Sequence, residues 1–379
     1  MDFDLTQTQE MIRQTARDFA VRELEPGAGE RERTGRFPRD LLRKMAGLGL
    51  MGVNVPERWG GVEAGTVAYA LSMIEISRAC ASTGVTMAVT NMVAEILCRF
   101  GTEGQIERHV PRLTSGEYTA GAFGLSEPGC GSDAAALQTT ARKVASGWVL
   151  DGTKQFITSG AHAGVIVVWA RTGGPGPKGI SAFLVRADTP GMTIGPEEKK
   201  MGLRASNTVS LVFEDARLPA DALFGEENQG FQIAMSALEG GRIGIAAQAV
   251  GIGRAALDAA VQYARERRTF GKALAEHQAI QWMIADSATE LHAARLLTLH
   301  AAHLKEHKRP CTQEASMAKL FASEAANRIC ARAFQIHGGY GYVQDYPVER
   351  FLRDCRITTI YEGTSEVQRM VIARSVLRD

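Results

Sequence analysis

The strongest constraint on the fold is a change in hydrophobic period that occurs twice along the chain. From residue 5 to about 115 the apolar residues recur at helical spacing, as in "LLRKMAGLGL". Between about 118 and 225, short apolar and β-branched runs such as "VIVVWA" and "ISAFLV" replace that pattern. The helical period then returns for the rest of the chain. This order predicts a helical domain, a β domain and a second helical domain.

Two glycine-containing motifs match known turn signals, and the residues around each motif decide how it is interpreted. Asp151-Gly152, within "GWVLDGTKQFIT", is an Asp-Gly pair between apolar runs and predicts the two-residue turn of a hairpin. "GIGRAA", residues 251–256, matches a dinucleotide-binding turn, but no strand precedes it and the surrounding run is helical. For this second motif we therefore favour close packing between helices.

Composition excludes several classes of protein. The chain has 379 residues, 45% of them hydrophobic and 22% charged, with a net charge of +1, which is typical of a globular protein and gives no basic groove for nucleic acid. The six cysteines are widely spaced without a C-x-x-C, as in a reducing compartment. The start lacks the basic region followed by an apolar stretch that is typical of a signal peptide. We therefore expect a cytoplasmic protein without a membrane span. A processed mitochondrial form stays an open alternative.

A metal site can also be drawn on the sequence. His300, His303 and His307 lie on one face of a predicted helix. No cysteine or carboxylate offers a convincing fourth ligand, and the helix runs into the polar stretch "KEHKRP". We therefore expect no metal and interpret these histidines as a solvated helix end.

Two acids stand one helical turn apart in "TTIYEGTSEVQRM", residues 358–370. Ser365 and Gln368 have the spacing of a capping box, which predicts that the last helix begins at Ser365. Glu366 then lies in the first turn, exposed to water and favoured by the helix dipole. Glu362 precedes the cap on a loop, and the local sequence leaves open whether it is a functional acid or an ordinary loop acid.

Three more segments carry glycines at junctions between predicted elements. "FGLSEPGCGSD" (123–133) exposes backbone N–H groups, "RERRTFGKALAEHQAI" (265–280) brings arginines that suit a pyrophosphate, and "QIHGGYGYVQDYPVER" (335–350) ends a helix at a glycine pair. Each segment alone also fits an ordinary loop or cap. Together with the Glu362 loop they form four separated glycine-bearing junctions.

These segments, with "KKMGLRASNT" (199–208) and "LEGGRIGIAAQAVG" (238–251), resemble the acyl-CoA dehydrogenase family over essentially the whole chain. The short-chain and short branched-chain members are the most similar. The resemblance implies an α+β multidomain fold: a helical N-terminal domain (1–117), a β-barrel-like middle domain (118–225) and a C-terminal four-helix bundle (226–379). It also implies a homotetramer with FAD at the subunit interfaces.

The resemblance assigns roles to individual positions. The flavin ring is expected to contact Phe123, Leu125, Ser126, Gly131 and Ser132 on one side, and Phe156, Ile157 and Thr158 on another, although many relatives carry Trp in place of Phe156. FAD contacts from a neighbouring subunit are expected from Arg267, Thr269, Phe270, Gln278, Gln335, Ile336, His337, Gly338 and Gly339. Thr364, Ser365 and Glu366 are expected at the FAD diphosphate, and Ser132, Glu239, Arg242 and Gly363 at the substrate.

By the same resemblance, the reaction oxidises a short- to medium-chain or branched acyl-CoA to the trans-2-enoyl-CoA, as in fatty acid β-oxidation or branched-chain amino acid catabolism. A base removes the α-proton while a hydride leaves for flavin N5, and an electron-transferring flavoprotein takes the electrons. The thioester oxygen accepts hydrogen bonds from the FAD ribityl 2′-hydroxyl and the Glu362 N–H.

The base in most of the family is the glutamate that here is Glu362, and enclosure beside an apolar acyl chain should raise its pKa. A minority carry the base at the position that here is Gly241, which has no side chain to titrate. Two other functions stay open on this fold: a flavin oxidase or monooxygenase that uses O₂, and a non-catalytic DNA-binding flavoprotein. The net charge of +1 argues against DNA binding.

Overall fold

The N-terminal part of the chain is helical, as its hydrophobic period predicts. The computed structural model describes residues 4–378, so the first three residues of the predicted N-terminal domain and the last residue of the predicted C-terminal one lie outside it. Thr6 begins the first helix with a capping box, because its hydroxyl accepts from Gln9 N–H at 3.2 Å and the Gln9 side chain accepts from Thr6 N–H at 3.0 Å. The helices of this part are α1 (Gln7–Phe19), α2 (Ala28–Thr34), α3 (Arg39–Gly47), α4 (Gly65–Ala79), α5 (Ala81–Phe100) and α6 (Glu103–Thr114).

Helix α5 is the one helix in residues 4–378 that is long and apolar enough to cross a membrane. Of its apolar window, 89% is buried inside the protein, where it packs against α4, α6 and the β domain. The length and composition of α5 are therefore explained by its place in the core.

The middle of the chain forms an eight-stranded mixed sheet in the order β6-β7-β3-β2-β4-β5-β8, with β1 pairing parallel to β4. The predicted runs "VIVVWA" and "ISAFLV" pair antiparallel as β4 and β5. Side chains on one face of the sheet form a separate small core. The strands are β1 (Ala120–Gly124), β2 (Thr140–Val144), β3 (Gly147–Thr158), β4 (Ala163–Arg171), β5 (Ile180–Val185), β6 (Met192–Ile194), β7 (Thr208–Pro219) and β8 (Leu223–Phe224).

The hairpin predicted at Asp151-Gly152 is wrong. Both residues lie inside β3, where the pairing with β7 shifts register between Leu150 and Gly152, as at a β-bulge. Gly152 has φ +143°, and a Cβ there would lie 2.6 Å from the Thr139 hydroxyl. The glycine is therefore required by a bulge and a close contact, while the real hairpin turn joins β2 and β3 at residues 145–146.

The C-terminal part is again helical. Helix α7 is its centre and packs against α4, α5, α8 and α9. "GIGRAA" lies inside α7, and a Cβ on Gly251 would meet the Ile74 carbonyl oxygen of α4 at 2.5 Å, which confirms the packing interpretation. His300, His303 and His307 lie at the end of α8. The elements are α7 (Gly230–Glu266), β9 (Arg268–Thr269), β10 (Lys272–Ala273), α8 (Gln278–Glu306), α9 (Thr312–His337), α10 (Val348–Arg356) and α11 (Ser365–Val376).

Candidate active site

A cavity of about 890 Å³ lies where the two helical parts of the chain meet the sheet. Its wall includes α5, the ends of β1 and β3, the first half of α7 and the segment that leads into α11. Ten of the residues predicted from the sequence line it, although they span 241 positions of the chain: Phe123, Leu125, Ser126, Gly131, Ser132, Phe156, Thr158, Arg242, Glu362 and Gly363.

Glu362 reaches this cavity from a sharply turned loop. Glu362 (φ +56°) and Gly363 (φ +89°) are consecutive residues in the left-handed region, which is unfavourable for a glutamate by about 1–3 kcal/mol. Glycine is required at 363, because a Cβ there would also meet the Gln368 side-chain nitrogen at 2.7 Å. The turn is what points the carboxylate of Glu362 back toward α7.

One oxygen of the Glu362 carboxyl group is buried. Part of the residue is accessible, but its Oε2 is buried and has no hydrogen-bond partner among the described residues. Burial raises the pKa of Glu362 to about 7, opposed by the positive charges of Arg242 and Lys319. This confirms the expectation of a raised pKa and places the group near neutrality, where a carboxylate is both available and basic.

The Gly241 position on α7 faces the same carboxylate. A Cβ built on Gly241 would lie 2.4 Å from Glu362 Oε2 and 3.2 Å from the Met92 sulfur. The Glu362 side chain therefore occupies the space that any side chain at 241 would need. One acid fits here, and in this chain it comes from the loop.

Glu366 differs from Glu362 both in its exposure and in the direction in which its pKa is shifted. It is exposed in the first turn of α11, as predicted, and hydrogen bonds to its own backbone and to the Thr364 hydroxyl lower its pKa. Helix α11 begins at Ser365 as predicted, but the capping box is wrong. Thr364 is the cap and accepts from Val367 N–H at 3.3 Å, whereas the Ser365 hydroxyl is buried and has no hydrogen-bond partner in the part of the chain that the structure describes. The Gln368 amide turns back to the Glu362 loop instead.

A buried ion pair supports the loop that follows β1. Lys154, fully buried on β3, contacts Glu127 Oε1 at 2.7 Å and donates to the Leu125 carbonyl at 3.2 Å. Glu127 also accepts from Gln138 N–H at 2.6 Å and from Thr139 N–H at 2.9 Å. Burial would raise the pKa of Glu127, but the Lys154 charge and these hydrogen bonds lower it overall. The acid thus ties the loop to the sheet.

This side of the cavity has the features that a flat aromatic cofactor needs. Gly131 has no heavy atom within 4 Å of where a Cβ would project, so its glycine leaves open space on the cavity side. Phe156 at the end of β3 has φ +60° and is 66% exposed, although it is a large apolar side chain beside the cavity. Such exposure at a cavity wall indicates a surface that a ligand covers.

Two predicted residues lie on the wall elements but do not line the cavity. Ile157 is buried in the separate core of the sheet, since alternate residues of a strand face opposite sides. Glu239 accepts a hydrogen bond from Thr312, while Leu238 beside it lines the cavity. The three residues at the start of α11, Thr364, Ser365 and Glu366, also lie outside the cavity lining.

The remaining predicted residues form a second surface, which we call the outer patch. It joins the end of α7, the short β9–β10 hairpin and the end of α9, because the Arg267 guanidinium lies 5.5 Å from the ring of Tyr340 and His337 stacks on Tyr263 at 4.2 Å. Phe270 at the tip of the hairpin is 96% exposed. The members of the outer patch are Arg267, Thr269, Phe270, Gln278, Gln335, Ile336, His337, Gly338 and Gly339, of which Ile336 and His337 are buried beneath it.

Three side chains of the site were not predicted from the sequence. Lys319 on α9 is fully buried and donates to the Gly363 carbonyl at 2.7 Å. Gln248 on α7 accepts from the Tyr361 hydroxyl and donates to the Ala81 carbonyl at 2.9 Å. Lys154 reaches Glu127 across 27 positions. A charged residue within an apolar helical face, as Lys319 is, was the one available sign.

Models of the acyl-CoA dehydrogenase family match all three parts of the chain: the N-terminal domain over residues 6–117, the middle domain over 122–216 and the C-terminal domain over 228–377. The chain therefore belongs to the acyl-CoA dehydrogenase family, a family of FAD-dependent oxidoreductases. The fold predicted from the sequence is confirmed.

Individual relatives narrow the class to the short-chain type. The chain is 53% identical to the mitochondrial short-chain specific acyl-CoA dehydrogenase of Bos taurus, over 99% of this chain and 91% of that protein. It superposes with a TM-score of 0.98 and 45% identity on a chain solved in work on the electron transferring flavoprotein of Acidaminococcus fermentans, covering both chains fully. Glutaryl-CoA dehydrogenase from Mycobacterium smegmatis in complex with FADH2 gives a TM-score of 0.93 at 31% identity, over 99% of this chain and 96% of that one.

Proposed function

We propose that this protein oxidises short-chain acyl-CoA thioesters to 2-enoyl-CoA, with Glu362 as the base that removes the α-proton. The observation that carries this proposal is the Glu362 carboxyl group at the cavity wall: its Oε2 is buried with no hydrogen-bond partner within residues 4–378, and burial raises its pKa to about 7. A buried oxygen without a partner normally costs free energy, so its retention at a cavity wall supports a functional role.

Removal of the substrate's α-proton depends on the carboxylate and the backbone N–H of Glu362. A thioester α C–H is a weak acid, so a base near neutrality must act together with stabilisation of the enolate oxygen. The backbone N–H of Glu362 has no acceptor among residues 4–378, which leaves it available to the thioester oxygen. When bound, FAD would supply a two-electron acceptor for the hydride that leaves the β-carbon.

The cavity wall supports an acyl-CoA as the substrate. The cavity that holds Glu362 has an apolar lining suited to an acyl chain, which includes Val85 and Val89 of α5 and Leu238 and Ile245 of α7. The lining also includes Lys199, Arg356 and Arg374, whose positive charges suit the phosphates of CoA or of FAD. The short acyl length is supported by the relative from Bos taurus.

The outer patch is the basis for proposing a homotetramer. Its residues are those expected to contact FAD, yet they do not line the cavity of their own chain. A neighbouring copy that brings its patch to the cavity would complete the cofactor site and cover Phe270. Electrons then leave to an electron-transferring flavoprotein, a partner supported by the relative from Acidaminococcus fermentans.

Anaerobic bleaching of the bound flavin by a panel of straight and branched acyl-CoAs from C4 to C16 tests the function. We expect the fastest bleaching with the shortest straight chains, and electron delivery to an added electron-transferring flavoprotein. No bleaching by any acyl-CoA would contradict the proposal. Rapid hydrogen peroxide formation in air that an electron-transferring flavoprotein does not suppress would instead identify an oxidase.

A further inference from the structure

The left-handed turn at Glu362 and Gly363 is held by side chains from two different helices. Gln368 of α11 donates from its amide to the carbonyls of Glu362 at 3.1 Å and Gly363 at 2.8 Å. Lys319 of α9 donates to the same Gly363 carbonyl at 2.7 Å. Hydrogen bonds to its two carbonyl oxygens therefore hold the turn in place. The side chain of Glu362 takes no part in these bonds and lines the cavity.

We propose, on the basis of the proposed role of Glu362 as the base, that Lys319 is its positioning residue, fixing the turn through the Gly363 carbonyl and favouring the ionised carboxylate by its charge.

A purely structural role does not require a lysine here. Gln368 already satisfies the Gly363 carbonyl with a neutral donor, and Lys319 is fully buried, which makes its ammonium group costly to place. A carbonyl oxygen can accept two hydrogen bonds, so both donors fit on Gly363, but only Lys319 also brings a positive charge. The charge is what distinguishes the contribution of Lys319 from that of Gln368.

The charged and titratable groups around the pair are few. Glu362 is faced by Arg242 of α7, Lys319 of α9, Tyr69 of α4 and its own neighbour Tyr361, and the two cations lower its pKa against burial. Lys319 is influenced by Glu362, Arg242, Glu366 and Glu324. Burial lowers the pKa of Lys319 to about 8, so its ammonium persists through the range near pH 7 in which Glu362 ionises.

The test is the pH profile of flavin bleaching by butyryl-CoA in the FAD-loaded protein. Lys319→Met removes the charge and the donor, and we expect the midpoint of the profile to rise by about 1 pH unit and the limiting rate to fall about 10-fold or more. Gln368→Met removes a neutral donor, and we expect a lower limiting rate with an unchanged midpoint. If Lys319→Met does not fold, Lys319→Gln, which keeps a donor without a charge, should show the same rise.

A direct readout avoids turnover. Infrared titration of the Glu362 carboxyl band, identified by its loss in Glu362→Gln, should give the same rise of about 1 pH unit in Lys319→Met. Ser323→Ala serves as the matched control, because Ser323 is buried on α9 one turn away and bonds only within its helix. We expect it to leave the profile unchanged.

The outcomes separate the two proposals. A stable Lys319→Met or Lys319→Gln protein with the wild-type midpoint in both measurements would overturn the role of Lys319, whatever its thermal stability. Normal bleaching by Glu362→Gln would overturn the base assignment itself, independently of Lys319.

Discussion

At the scale of single residues, Glu362 and Glu366 show how one helical turn separates opposite acid–base behaviour. Both are glutamates near the start of α11, but burial raises the pKa of Glu362 to about 7, while hydrogen bonds lower that of the exposed Glu366. The sequence distinguished them by the predicted helix start. It could not show that Glu362 Oε2 has no hydrogen-bond partner among residues 4–378, because that depends on α7 and on Gly241 packing across the loop.

The raised pKa of Glu362 makes stability depend on pH. Its pKa is about 7 in the folded protein against an ordinary 4.5, so the folded state holds the proton more tightly than the unfolded chain. Stability is therefore full below about pH 4.5 and falls, by up to about 3 kcal/mol, as pH rises to about 7. We predict that the thermal midpoint of Glu362→Gln minus that of wild type is larger at pH 8 than at pH 5.

Glu366→Gln is the matched control for that comparison. Glu366 is exposed and its pKa is lowered, so its substitution should not produce a gain that grows toward pH 8. A difference between wild type and Glu362→Gln that is the same at both pH values would contradict the buried-acid assignment.

At the scale of elements, the loop after β1, which lines the cavity, depends on β3 through the Lys154–Glu127 pair. Breaking a buried pair by removing one partner leaves an uncompensated charge and costs about 3–5 kcal/mol. We predict that Glu127→Gln loses stability of that order and releases FAD more readily, measured by denaturant unfolding and by flavin retained through gel filtration.

The matched test of the pair is the double substitution. Glu127→Gln with Lys154→Met removes both charges, and we expect it to recover part of the lost stability. If the double variant were as unstable as the sum of the two single variants, the two groups would not act as a pair.

The elements also show where sequence reasoning succeeded and failed. Strands β4 and β5 were evident as short apolar, β-branched runs, and α7 was evident because its helical pattern extends over many residues. The Asp151-Gly152 hairpin failed because a bulge and a turn both use glycine at positive φ, and the close contact with Thr139 that decides between them is not local. The same limit applies to Lys319, whose partner Gly363 is 44 positions away.

At the scale of the whole molecule, the cavity is built by all three parts of the chain, and none of the outer-patch residues lines it. Only the family resemblance links the outer patch to FAD, because its residues do not line the cavity of their own chain. We predict that Phe270→Ala keeps the fold of the chain but weakens tetramer assembly and FAD retention, measured by light scattering and by the flavin-to-protein ratio.

Trp282→Ala provides the control for Phe270, because Trp282 is also exposed but is not among the expected FAD contacts. It should leave the flavin-to-protein ratio near that of wild type. Full FAD retention by a monomeric Phe270→Ala would contradict the role of the outer patch in a neighbouring subunit's site.

The most direct test of the account is the rate of anaerobic flavin bleaching by butyryl-CoA in Glu362→Gln. This substitution keeps the size of the side chain and removes the base, so we predict that FAD stays bound and the bleaching rate falls by about 10²- to 10⁴-fold or more. Glu366→Gln should bleach at nearly the wild-type rate. Near-normal bleaching by the Glu362 variant, or equal loss in both variants, would contradict the assignment of Glu362 as the base.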